Sequence, residues 1–204
     1  MRNMKRFGLL LSVLCVLAAA MVVTGCNSSS DDESLDLVLR IVHVNDTHSH
    51  LDTISDSLKF DGTKTYLNMA GVARVSEFVK QLKYGAENSI LLHAGDAVQG
   101  TLYYTKFEGQ VEMQAMNDMG FDAMCIGNHE FDKGPAALAK LYGYANFPIV
   151  SANIDVTSEP ELVGKVAPYT IKEYPAHVAD SKSSTKMVKV GIIGLTLTET
   201  SILA

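Results

Sequence analysis

The sequence predicts an α/β fold in which helices pack on a sheet rich in parallel strands. Two observations carry this. Short runs of branched apolar residues alternate with amphipathic helical stretches along most of the 204 residues, the alternation expected of βαβ units. Three of the runs give way to polar clusters carrying Gly, Asn and Asp, which mark a strand entering a loop. The composition agrees. A hydrophobic content of 47%, 20% charged residues, 15 Gly and 5 Pro exclude a disordered or fibrous chain. Three cysteines exclude a disulfide scaffold. A net charge of −6 argues against a nucleic-acid polymer as partner, which needs a basic face.

Residues 1–25 read as a leader. Arg2, Lys5 and Arg6 form a basic start, and residues 7–23 carry no charge. That stretch is shorter than the roughly 20 apolar residues of a transmembrane helix and has the layout of a secretory signal. Its end, Val23-Thr24-Gly25-Cys26, resembles the bacterial lipobox, which implies cleavage before Cys26 and lipidation of that cysteine. The alternative is an uncleaved anchor with Cys26 an ordinary thiol. Residues 26–36 read as a polar tether, since NSSSDDES offers nothing apolar to pack. Loss of the three leader bases takes the net charge from −6 to −9. So acidic a protein needs the acyl chains, not charge, to stay at an anionic membrane. The expected location is the periplasmic side of a bacterial envelope, and Asn27 after the cysteine resembles outer-membrane sorting.

The domain proper spans residues 37–204. Residues 37–44 are a strand ending in the polar cluster 45–50. Val72, Val75, Val79 and Leu82 recur at steps of three and four, which predicts a helix over 71–83. Residues 89–94 form a second buried strand, stopped by Gly95-Asp96. A helix over 111–119 ends at Gly120, suited to a left-handed C′ position. Residues 122–126 are a short strand stopped by Gly127-Asn128, and 135–144 are a helix with Pro135 in its first turn. Strands follow at 147–152, 167–174 and 188–195, with a polar turn over 180–186 between the last two. Only nine residues follow the last strand. A buried strand so placed leaves a face uncovered unless more chain follows.

The chemistry gathers at strand ends. The clusters are Asn45-Asp46-Thr47-His48, Gly95-Asp96 through Gln99-Gly100, and Gly127-Asn128-His129-Glu130-Phe131-Asp132. In an open α/β sheet the carboxyl ends of parallel strands share one edge, where ligands bind. Asp46, His48, Asp96, Asn128 and His129 are thus expected to converge. Their oxygen and imidazole donors suit Mn²⁺, Zn²⁺, Mg²⁺ or Fe better than a thiolate-bound metal. Taken singly each cluster has a bland reading: Asp46 caps a turn, Gly-Asp and Gly-Asn are loop dipeptides, and His129 and Asp132 are a hydrogen-bonded pair. The joint occurrence favours a site. His93 reads as a hydrogen-bonded histidine, not a ligand.

The order D-x-H, G-D, G-N-H-[DE] resembles the calcineurin-like metallophosphoesterases. Further blocks resemble their bacterial 5′-nucleotidase and UDP-sugar hydrolase branch: Ala70-Gly71-Val72-Ala73-Arg74, Gln99-Gly100-Thr101, Met116 through Ala123, and Ser151-Ala152-Asn153. The resemblance implies a layered sandwich with helices outside two mixed sheets. It implies two divalent metal ions, with Asp46 and His48 on one, Asp96 bridging, and Asn128 on the other. His129, paired with Asp132, stands near the phosphate as the catalytic dyad. The expected activity is hydrolysis of extracytoplasmic nucleotides or other small phosphate esters by metal-activated water. Alternatives are a cyclic-nucleotide phosphodiesterase, a thiosulfohydrolase, or an inactive lipid-anchored binding protein. The family's later ligand histidines, one in a Gly-His-x-His motif, have no counterpart: after Asp132 the one histidine is His177. The sequence therefore reads as the first part of a catalytic domain, incomplete at its C-terminus and poorly active alone.

Overall fold

The computed structural model describes residues 34–69, 71–178 and 181–200. The leader, Cys26 and nearly all of the tether lie outside the described residues. Four strands, β2 (Leu39–Val44), β5 (Asn88–His93), β6 (Ala123–Cys125) and β7 (Ile149–Val150), form a parallel sheet in that order. The contiguous apolar residues of 88–93 suit a strand covered on both faces. Ile90 and Leu91, neighbours in β5, are both buried but belong to different cores, as a period of two requires.

One core lies on the helical side. Leu91, Met124 and Ile149 of the sheet pack with Val79, Met113, Met116, Leu138 and Leu141. These come from α1 (Val72–Tyr84), α3 (Gln110–Met119) and α4 (Gly134–Tyr142). Gly120 caps α3 in the left-handed region at φ 71°, its N–H donating to the carbonyls of Asn117 and Met116. Proline stands in the first turn of α4, also as expected. A short helix that the sequence reading passes over, α2 (Leu102–Phe107), precedes α3 and is capped by the Thr101 hydroxyl accepting from the Tyr103 N–H.

The second core lies between sheets. Ile90, Ala123 and Val150 pack against Tyr174 and Ile192. The latter belong to β8 (Tyr169–Val178) and β9 (Ser181–Ile193), long antiparallel partners running from Tyr169↔Ile193. β1 (Leu35–Asp36), the end of the expected tether, pairs with Val178 and His177. The approach of the layers is close: a Cβ on Gly194 would stand 2.1 Å from the Val150 carbonyl oxygen. Asn88 ties both layers, its Nδ2 donating to the carbonyls of Val38 (3.3 Å) and Pro175 (3.0 Å). The outward side of β8 and β9 leaves Tyr169, Ile171, Met187 and Ile193 exposed.

Two sequence expectations are corrected. The polar turn over 180–186 is instead largely strand: β9 begins at Ser181, and Thr185 and Lys186 pair with His177 and Ala176. On a face turned to solvent, polar residues extend a ladder as well as apolar ones do. Residues 53–70, which the sequence reading leaves without an element, hold a hairpin. β3 (Ile54–Phe60) pairs with β4 (Thr63–Met69) around Asp61-Gly62, both at positive φ (46° and 83°), the turn chemistry of a two-residue hairpin. Among the described residues no helix is long and apolar enough to cross a membrane.

Candidate metal centre

The loops that leave β2, β5 and β6 meet at the carboxyl edge of the parallel sheet. The ladder between β2 and β5 continues into them: Asp46, His48 and Ser49 donate their N–H groups to the carbonyls of Gly95, Asp96 and Ala97, each at 3.0 Å. Bonds in this register need a tightly coiled backbone. Asp46, His48 and Ser49 stand at φ 53°, 44° and 55°, and Asp96 at 54°. Asp and His tolerate this region better than most residues, and such clustering is a property of functional loops.

The third loop approaches by contact that only glycine permits. A Cβ on Gly127 would lie 2.2 Å from Asp96 Oδ1, and one on Gly95 would lie 2.6 Å from the Gly127 nitrogen. Asp96 Oδ1 accepts the His129 N–H at 2.9 Å. Four of the five expected residues consequently gather. His48 Nε2 is 3.8 Å from Asp46 Oδ1, the His48 and His129 rings meet edge-on at 5.1 Å, and ligand atoms of His48, Asp96 and His129 all lie within 4.8 Å of one another. Asp46 also accepts from the Asn45 side chain. Asn128 occupies the position before a 3₁₀ turn (His129–Phe131), between Gly127 and His129 on the same edge.

His129 Nδ1 contacts both Asp132 carboxylate oxygens, at 3.2 and 3.0 Å. This leaves Nε2 as its other ring nitrogen. Burial pulls the His129 pKa down, but the Asp132 hydrogen bond and the charges of Asp132, Asp96 and Glu130 outweigh it and raise the pKa above the ordinary histidine value.

Sequence reasoning assigned no role to Glu130. Its carboxylate is buried, 2% exposed, and accepts three backbone N–H groups: Gly127 at 2.7 Å, Ala97 at 2.8 Å and Asp96 at 3.0 Å. It therefore joins the loop after β5 to the loop after β6 directly behind the converging donors. Burial pushes its carboxyl up to about 7, against the three N–H donors that favour the charged form. Two of those donors lie 33 and 34 residues upstream, so no local pattern announces them; the one available sign is an acidic residue set between His129 and Phe131.

His93 is a hydrogen-bonded structural histidine, as expected. It is buried, with Nδ1 accepting from the Gly95 N–H and Nε2 3.1 Å from Thr47 Oγ1. It is therefore neutral with the proton on Nε2. Burial lowers its pKa to about 4, partly opposed by the Asp46 charge.

The donors fit a divalent cation. Bonds of about 2.0–2.2 Å to nitrogen and oxygen put the ligand atoms of one ion roughly 3–4.4 Å apart. A spread within 4.8 Å lies close to that range. An α/β sheet edge bearing carboxylate and imidazole donors, backed by a buried carboxylate clamp, is suited to a hard-to-borderline metal.

The comparisons give the family. Residues 39–186 match the calcineurin-like phosphoesterase family, and the chain belongs to it. It is 33% identical over 183 residues to a probable 5′-nucleotidase of Treponema pallidum, a match covering 90% of this chain and 29% of that protein. The crystal structure of a 5′-nucleotidase precursor from Thermus thermophilus superposes with a TM-score of 0.66 at 40% identity, covering 80% of this chain and 29% of that one. The NAD nucleotidase of Haemophilus influenzae superposes with a TM-score of 0.69 at 34% identity, covering 80% and 27%. The chain thus spans less than a third of the length of these relatives.

Two predictions follow from the site's supports. Glu130→Ala leaves one buried and two part-buried N–H groups without an acceptor, the buried one at about 1–3 kcal/mol; urea unfolding should show a loss of about 2 kcal/mol or more. His93 stays neutral in the fold but protonates at about 6.5 when unfolded, so its contribution is complete above that pH and fades as pH falls towards about 4. Between pH 7.5 and 4.5 the parent should lose about 2–3 kcal/mol more than His93→Gln, measured by urea unfolding at both pH values.

Proposed function

We propose that the protein is a metal-dependent phosphohydrolase of 5′-nucleotidase type, acting on nucleotides outside the cytoplasm. One observation carries the reading: ligand atoms of His48, Asp96 and His129 converge within 4.8 Å at the sheet edge, with His129 braced by Asp132. Asp46, His48, Asp96 and Asn128 would hold two divalent ions. Bound there, the ions would supply Lewis-acid activation of water and charge neutralisation for the phosphate. Asp132 fixes the His129 ring through Nδ1, which turns Nε2 to the reacting phosphate. There His129 donates a proton to the leaving oxygen or a hydrogen bond to the equatorial oxygens. Glu130 holds Asp96 and Gly127 in register while this happens. The nucleotide preference is supported by the 5′-nucleotidase relatives, and the exported, lipid-anchored location by the leader and Cys26.

The test is hydrolysis by the full-length protein with Mn²⁺ of AMP, read as phosphate release, beside 2′,3′-cyclic AMP, read as monophosphate formed, and an S-alkyl thiosulfate, read as sulfate release. Asp96→Asn should lose metal in elemental analysis and at least about 10²-fold in kcat/KM. His129→Ala should keep its metal and lose about 10²–10⁴-fold in kcat; metal lost with His129 would make it a ligand instead of an acid. Full AMP turnover by Asp96→Asn would overturn the reading, and turnover of only the other two substrates would reassign it within the family.

The anchor is tested separately. Cys26→Ser should move the protein from the detergent phase to the aqueous phase on Triton X-114 partition; unchanged partition would remove Cys26 as the lipidated residue.

A further inference from the structure

Beneath the loop that carries Asp46 and His48 lies a cavity of about 300 Å³, within the size range of small-ligand sites. It sits between α1, α3 and the carboxyl ends of β2 and β5. Val44, Leu51, Val75, Met116, Met119 and Phe121 give it apolar walls. Glu112 and Ser49 also line it, with Asp46, Thr47 and His50 of the loop above. Glu112 is 3% exposed and Ser49 fully buried. Among the described residues neither Glu112 oxygen, nor the Ser49 hydroxyl, has a hydrogen-bond partner. His93, also on the wall, is already committed to Gly95 and Thr47.

A buried carboxylate without a partner is costly unless a cation or several donors meet it. Glu112 stands in the first turn of α3, and a partner for its carboxylate has to come from inside the cavity that it lines. A metal ion is a poor match, since hard cations take about six oxygens and the cavity offers three orphan ones. A primary ammonium is a good match: it carries three N–H donors, and its hydrocarbon body suits the apolar walls. We propose that this cavity binds a small primary ammonium with an apolar body, its charge on Glu112 and its remaining donors shared with Ser49. Ser49 is one of the positive-φ residues of the loop above, so the ligand would brace the segment bearing Asp46 and His48. The binding itself does not depend on the phosphohydrolase reading.

The test is thermal unfolding of the full chain titrated with butylammonium, isobutylammonium and benzylammonium chlorides against the matching alcohols. At about ten times Kd an ammonium should raise Tm by roughly 3–6 °C, and its alcohol should not. Glu112→Gln should melt no lower than the parent and lose the rise. Ala115→Leu, which fills the cavity and keeps Glu112, should also lose it. No rise with any of the three, equal rises with amine and alcohol, or a rise kept in either variant would overturn the proposal. So would a Glu112→Gln protein that melts below the parent or does not fold, because the carboxylate would then already be partnered.

Discussion

The site depends on how the loop after β5 is held against the loop after β6. Two things do this together. Glycine at 95 and 127 lets the backbones approach to distances that no Cβ tolerates, and the Glu130 carboxylate accepts N–H groups from both loops. A single buried acceptor satisfies three donors that the approach has partly or wholly withdrawn from water. Without it, closeness of the loops would leave polar backbone unpaired in a dry place. With it, Asp96 is presented to His48 on one side and to the His129 N–H on the other.

Strain is concentrated at the same place. Among the described residues, five of the seven non-glycine residues at positive φ lie in the loops after β2 and β5. Each such conformation is uphill by about 1 kcal/mol or more, and the continuing ladder from Asp46 to Ser49 offsets it bond by bond. The helical core behind, built on Leu91, Met113 and Met124, supplies the rigidity that keeps the loops from relaxing. Packing, backbone pairing and the carboxylate clamp thus act in series to aim side chains that have no reason of their own to meet.

Much of this was legible in the sequence, for identifiable reasons. Buried parallel strands are contiguous apolar runs, so β5 could be read; the apolar half of β9 showed as a branched run although that strand is antiparallel; α1 and α3 show helical spacing over enough turns to be recognised. Asp46, His48, Asp96 and His129 could be grouped, with Asn128, because each follows a strand, and topology then brings strand ends together. The hairpin β3–β4 escaped because its mostly exposed residues carry little hydrophobic pattern, although Asp61-Gly62 marks its turn. The first half of β9 read as a turn because Ser, Thr and Lys are as compatible with one as with an exposed ladder. Glu130 and Glu112 escaped because their meaning lies in what surrounds them in three dimensions, full satisfaction for one and none for the other.

The order of strands in the parallel sheet has a consequence for how the chain is assembled. β2, β5, β6 and β7 lie side by side in the order of their synthesis. Each new strand can be added to the growing margin as it emerges, and none must be inserted between two already joined. β1 is the exception: Leu35 has to wait for Val178. Its pairing has to wait until β8 has emerged, a long-range closure that fastens the start of the domain to a strand about 140 residues further on.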